Sequence, residues 1–323
     1  MCTTIRISTD GVGALCHGLI VGGIDGPFLG TEALADGLVT RRGLKSGFRP
    51  VYRNAYMPKN QLLTPVFRAK AAWLWAGRQA TLGGLSAAAM HGSKWIDAKE
   101  PADLFRLGDA VEGINIHRDK LAAGETCVVD GMPTTTPART AFDLGRRDSL
   151  ERAVIRLDAL ANSTNLARHD VEMLLERHAG ARGIVQLRRA VELMDGGAES
   201  PQETRTRLLL MTAGFPRPQT QIVVCDEFGY FIGRVDMGWA EWKVGVEYDG
   251  PQHFATPADH ARTIERIADL EAHGWIIIRI TRDILRYRSG VFLARVRDAM
   301  LTAGWPHCDQ IRIDSQIWLD RVA

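Results

Sequence analysis

The chain has 323 residues, more than the ~100 to 200 that usually share one hydrophobic core, so two or three domains are expected. Hydrophobic residues at 46% and charged residues at 24% match an ordinary globular composition and exclude a disordered or collagen-like class. A formal net charge of +2 demands no polyanionic partner, although a local basic surface fits inside a balanced total. Residues 1–26 read as a loosely ordered extension. Within it, GVGALCHGLIVGG (11–23) is broken by His17 and preceded by Arg6 alone as a basic residue, which makes a poor secretion signal. No run reaches the ~18 consecutive apolar residues of a membrane span. Cys2, Cys16, Cys127, Cys225 and Cys308 form no CxxC and no paired His/Cys spacing, so reduced thiols in a cytoplasmic protein without membrane association are expected.

Residues 27–100 open with two short helices and a hairpin. Thr31 is placed to cap EALADG, TRRGLKSG forms the second helix, and FRPVYRNAYMP alternates as two strands turning at Arg53-Asn54. Two helices followed by a basic ribbon is the order of a winged helix. Arg41, Arg42, Lys45, Arg49 and Arg53 would then face DNA, against the alternative of a small scaffold with ordinary solvated charges. The helical stretches TPVFRAKAAWLWAG and GGLSAAAMHG follow, and His91 at the end of the second reads as structural. Residues 101–196 form a mixed, mainly helical middle domain. A β-rich, loopy stretch to residue 135 precedes TPARTAFDLG, capped by Thr136 with Pro137 at the first helical position, and further amphipathic helices continue through LERAVIRLDALA, LARHDVEMLLERHAG and IVQLRRAVELM.

DGGAES (195–200) marks a boundary before a domain over 197–303, followed by a tail over 304–323. SPQETRTRLLLMTAGF starts with Ser200 as cap, Pro201 at the first helical position and Glu203 at the third, a capping box. TQIVVCDEFGYFIGRVDMGWAEWKVGVEYDG divides into a three-stranded antiparallel meander turning at DEFG and AEWK. A helix over 257–273, the apolar strand WIIIRIT (275–281), expected to be buried on both faces, and a helix over VFLARVRDAML complete the order. The chain is therefore a multidomain α/β protein whose last domain runs helix, three strands, helix, strand, helix.

Three carboxylates interrupt that pattern. If the second and third meander strands pair through AEWK, residues whose numbers sum to about 483 face each other, which sets Asp236 opposite Glu247, with Asp249 on the same face. Unneutralised acids in cross-strand register repel, and burial of each charge is costly. Mg²⁺ or Mn²⁺ held by Asp236, Glu247 and Asp249 would remove the conflict and activate a water; an exposed acidic patch is the alternative. Glu203 would complete a second metal position or serve only its capping box. His253, after the Gly250-Pro251 turn, would act as general acid, base or phosphate donor, or be a plain loop histidine. Arg262 and Arg266, one turn apart, would clamp phosphate or lie on a solvated helix face.

The order ESPQETRTRLLL, GRVDMGW, VGVEYDGPQHF and ERIADLEAHGWIIIRIT resembles the PD-(D/E)XK nuclease superfamily, in its branch similar to very-short-patch-repair endonucleases. The resemblance implies a restriction-endonuclease-like fold over 197–303, with Glu203 as the helix acid, Asp236 as principal metal ligand, Glu247 as second ligand and His253 as the histidine after the turn. Asp249 stands where many relatives carry a catalytic lysine, and Thr263 stands where an acid is common. At the front, FLGTEALADGLVTRRGLKSGFRPVYRNAYMP resembles the winged-helix segment of proteins related to the AbiEi antitoxin of abortive-infection systems. LSAAAMHG and MPTTTPARTAFDL resemble the segments that follow it. Together these imply a metal-dependent DNA endonuclease or nickase, with a toxin or repair partner and a homodimer both open. The alternative is a non-catalytic DNA-binding regulator or antitoxin that retains a degenerate nuclease fold.

Overall fold

The structure, a computed structural model, describes residues 23–109, 111–250 and 257–313. It is a mixed α/β protein with three sheets among those residues. The front unit consists of β1 (Phe28–Leu29), α1 (Gly30–Ala35), α2 (Arg41–Gly47), β2 (Phe48–Tyr52) and β3 (Ala55–Pro58), with strand order β1-β3-β2. Thr40 caps α2 by accepting from the Gly43 N–H at 3.0 Å, and the hairpin closes on Asn54 at φ 65°, a left-handed conformation that asparagine tolerates. The expected cap at Thr31 is not formed. The helix begins two residues earlier, at Gly30 with Leu29 in the cap position, and a Cβ on Gly30 would lie 2.8 Å from the Tyr56 ring. The Thr31 hydroxyl instead accepts from Asn54 Nδ2 at 2.9 Å and ties α1 to the hairpin turn.

The second unit contains α3 (Pro65–Trp75), β4 (Thr81–Leu82), α4 (Gly84–Met90), β5 (Ala102–Phe105), β6 (Ile114–His117), β7 (Thr126–Val129) and β8 (Met132–Thr135). Helices α5 (Pro137–Arg147), α6 (Leu150–Thr164), α7 (Arg168–Arg177) and α8 (Ile184–Leu193) follow. Its five strands form one mixed sheet in the order β6-β5-β4-β8-β7. Because β4 pairs with β5 through Thr81 with Phe105 and Leu82 with Leu104, this sheet continues across residue 100, where the sequence suggested a division. Helices α5 to α8 enclose Leu144, Val154, Leu157, Leu160, Val171 and Leu187. Gly145 permits their close approach, since a Cβ there would stand 2.3 Å from Leu187 Cδ1.

The third unit comprises α9 (Pro201–Ala213), β9 (Gln219–Cys225), β10 (Phe231–Trp239), β11 (Val244–Asp249), α10 (Pro257–Ala272), β12 (Ile276–Thr281), α11 (Arg282–Tyr287) and α12 (Ser289–Thr302). Its sheet runs β12-β11-β10-β9. The meander is antiparallel, and α10 carries the chain over to β12, parallel to β11. One face packs on α9 and α12 through Leu210, Phe215, Met237, Val246 and Phe292. The other face packs on α10, where Val224, Val235 and Trp275 enclose Leu270. β12 is the edge strand of this sheet among the described residues, and its side chains pack on both faces as expected, Ile278 and Ile280 in the core with α12 and Trp275 and Ile277 on the opposite side. Residues 304–313 are not a loose tail, because Trp305 and Cys308 are buried and Ile311 packs on the same core.

Helix α9 belongs to two cores at once. Leu208 joins the cluster of α5 to α8, while Leu209 and Leu210 point into the sheet's core. Beside Leu208, Arg207 is 0% exposed and donates to Asp158 of α6 at 2.8 Å. Asp158 also accepts from Thr204 Oγ1 at 2.8 Å and from the Asp195 N–H at 2.7 Å. Burial pushes its carboxyl up to about 6 despite the neighbouring guanidinium.

Candidate functional site

The acidic cluster grows out of a roll in β10. Val235 and Met237 are two residues apart and should share a face, yet Val235 packs with Trp275 and Met237 with Phe292. Pairing of Val235 with Ile222 and of Met237 with Thr220 leaves Asp236 across from Gln221, which takes a left-handed φ of 52°. The strand thus turns over at Asp236. On its other side, Met237 pairs with Val246, Gly238 with Gly245 and Trp239 with Val244, the register expected from the AEWK turn. Past Met237 the Tyr248 N–H donates to Asp236 Oδ2 at 2.9 Å, so a side-chain carboxylate stands in for a strand carbonyl.

Glu203, Asp236 and Glu247 come together here. Asp236 is pushed up to about 7 by burial, by the charges of Glu203 and Glu247, and only partly relieved by the Tyr248 N–H and Arg266. Only half of the expected capping box forms: the Glu203 N–H donates to Ser200 Oγ at 3.2 Å, while Glu203 Oε1 accepts from Ser200 Oγ at 2.8 Å and Oε2 accepts from the Glu199 N–H, one residue before the cap, at 2.9 Å and from Gln221 Nε2 at 3.3 Å. Burial raises its carboxyl as well. Glu247 is 4% exposed and accepts from both ends of the Arg266 guanidinium, at 2.5 and 2.8 Å. Asp249 accepts from Arg279 at 2.7 Å. His253 lies outside the described residues.

Arginine therefore supplies the positive charge that the sequence left to a metal. Both Glu247 oxygens hold one guanidinium, Asp249 holds another, and Asp236 is partly protonated near neutrality. Among the described residues no group of three or more His, Cys, Asp or Glu side chains is arranged to hold a metal ion. With Glu247 and Asp249 engaged by Arg266 and Arg279, the donors as they stand are not arranged around Mg²⁺ or Mn²⁺. Arg266, expected at a phosphate, is spent on Glu247 and on the Arg234 carbonyl at 3.0 Å. Arg262 lies exposed one turn earlier on α10.

At the other end of the chain, Arg41, Arg42 and Lys45 on α2 and Arg53 at the hairpin turn are exposed, and no described carboxylate forms an ion pair with them. Arg49 points inward instead, donating to the Gln61 carbonyl at 2.8 Å. Sequence reasoning missed a buried ionic network in the second unit. Arg139, 2% exposed, donates to Asp143 at 2.9 Å and to Glu125, which also meets His178 Nε2 at 2.6 Å. The four-residue spacing of Arg139 and Asp143 within α5 was the available signal, but nothing local points to Glu125.

This second unit is also where similarity to known proteins is found. Residues 80–196 match the AbiEi antitoxin C-terminal domain family. The match encloses LSAAAMHG and MPTTTPARTAFDL, and starts after the helix–hairpin unit and ends before α9. Two uncharacterized proteins of Mycobacterium tuberculosis, from strains CDC 1551 and H37Rv, are each 34% identical over 168 residues, covering 52% of this chain and 62% of theirs. The match thus spans less than two thirds of those relatives. No solved structure matches the chain. Among the described residues no helix is long and apolar enough to cross a membrane.

Proposed function

We propose that this chain is a DNA-binding regulator of antitoxin type, in which the helix–hairpin unit contacts the duplex and the third unit is a nuclease-like platform. The observation that carries the reading is the antitoxin-domain match over 80–196, preceded in the chain by a unit whose exposed Arg41, Arg42, Lys45 and Arg53 lack carboxylate partners among the described residues. Unpaired guanidinium and ammonium groups on one helix and an adjoining turn suit backbone phosphates, which reward positive charge regardless of sequence. The antitoxin resemblance also implies a toxin partner, to be sought by co-purification. A homodimer reading two half-sites is the natural arrangement on duplex DNA.

The test is a salt titration of duplex binding with the full chain. Each lost phosphate contact lowers the slope of log K against log salt by about 0.9. The fourfold alanine variant at 41, 42, 45 and 53 should lose about 3.6 units of slope while keeping its fold. Wild-type binding with no such loss refutes the assignment.

A second reading, phosphodiester hydrolysis in a restriction-endonuclease-like fold, draws on the convergence of Glu203, Asp236 and Glu247 and on the order of elements from α9 to α12. Under it the same preparation nicks plasmid with Mg²⁺ or Mn²⁺, and Asp236→Ala abolishes the nicking. Intact plasmid under both conditions removes that reading and leaves the regulator standing.

A further inference from the structure

Between α4, α6 and the first turn of α9 lies a cleft of about 290 Å³, close to the lower size of small-molecule sites, ~300 Å³. Its floor is apolar, made by Leu85, Ala88, Leu144 and Ile155. Trp95 forms one wall. This tryptophan is 52% exposed and sits at φ 64°, a left-handed conformation that a bulky residue adopts only under strain. Its indole N–H donates to the Glu199 carbonyl across the junction at 3.1 Å, which fixes the ring at the mouth of the cleft instead of letting it turn into solvent.

The rim is cationic, with Lys94, Arg152, Arg156 and Arg205 set against Asp97 and Glu100. Arg152 and Arg156 are held by Glu100 at 2.9 and 3.3 Å. Arg205 is anchored differently: its Nε donates to Glu151 at 2.6 Å, while its two terminal nitrogens and Lys94 Nζ have no partner among the described residues. An anchored fork with free donors is preorganised for an oxyanion. The first turn of the thirteen-residue α9 also lines the cleft and adds the positive end of its dipole.

A planar aromatic wall, an apolar floor and unpaired donors at the rim together describe a ligand with a flat ring and a phosphate. We propose that this cleft binds a free mononucleotide, its base against Trp95 and its phosphate on Lys94 and the Arg205 fork. The volume is of the size of one nucleotide. The site is separate from the DNA surface at α2, and its occupant would bridge α4, α6 and α9.

Isothermal titration of the full chain with AMP, in the absence of DNA, tests the proposal independently of the regulator reading. AMP is expected to bind, with adenosine and inorganic phosphate each at least about tenfold weaker, a difference of about 1.4 kcal/mol. Lys94→Glu, a fully surface change, and Arg205→Ala should each weaken AMP at least about tenfold. Trp95→Ala should do the same if it keeps wild-type circular dichroism. No heat from AMP at about 1 mM, the 4 kcal/mol end of the affinity scale, overturns the proposal. So does AMP affinity unchanged in Lys94→Glu, or tighter binding at these residues by a single strand of about ten nucleotides.

Discussion

Replacing Asp236 by Asn should stabilise the protein above neutral pH and leave it unchanged in acid. The carboxyl is pushed from an ordinary 3.8 up to about 7 in the folded chain, first by burial and then by the charges of Glu203 and Glu247. The native state thus holds its proton more tightly than the unfolded chain. As pH rises from about 4, the unfolded carboxyl ionises first, so stability falls until the folded group ionises near 7 and is level above that. At about 1.4 kcal/mol per pH unit, a gap of roughly three units sets a ceiling of about 4 kcal/mol. Asparagine keeps an oxygen for the Tyr248 N–H and carries no charge, so Asp236→Asn should gain about 2 to 4 kcal/mol near pH 8. The gain should shrink to nothing near pH 4. Urea unfolding at a series of pH values, followed by near-ultraviolet circular dichroism, measures this. A variant that is less stable at every pH, or whose advantage does not change with pH, refutes the reasoning.

Arg266→Ala leaves Glu247 buried with two bare oxygens and should cost about 3 to 5 kcal/mol; adding Glu247→Gln should recover part of that loss in the same urea assay. Arg207→Met strips the cation from Asp158 and should cost a similar amount near pH 8. Without the cation the Asp158 carboxyl rises above its folded value of about 6, so the loss should shrink as pH falls from about 8 towards 6, where the proton replaces the cation, and stay level below that; scanning calorimetry at both ends of this window checks it. Gly183→Ala should lower the melting temperature by the equivalent of about 2 kcal/mol or more. Gly183 has φ 82°, and its Cβ would stand 2.2 Å from the Arg146 carbonyl oxygen.

Local devices were legible in the sequence because their partners are three residues away. Thr136 and Ser200 each cap a helix as the spelling indicates, and the AEWK turn set the β10–β11 register. Thr31 misled because Gly30, free of a Cβ, let the helix start earlier against Tyr56. The five-stranded sheet was hidden because its strands span two to four residues each, too few for a period of two to register. In the acidic cluster, the convergence of Asp236 and Glu247 followed from register, but its neutralisation did not. Arg266 lies 19 residues from Glu247 on a crossover helix, and only the packing of α10 on the sheet brings the two together. The roll of β10 at Asp236 depends on Gln221, a residue with no sequence mark of its left-handed turn.

Helix α9 is shared property. A chain ending at residue 196 would be deprived of Leu208 and would leave Asp158 facing water or hydrocarbon without its arginine, so it would make a poor independent product. Recombination, protease nicking or a premature stop at that seam would be expected to inactivate both halves. Natural variation in this protein should consequently exchange the two units together, with the residue at 158 changing only in step with that at 207.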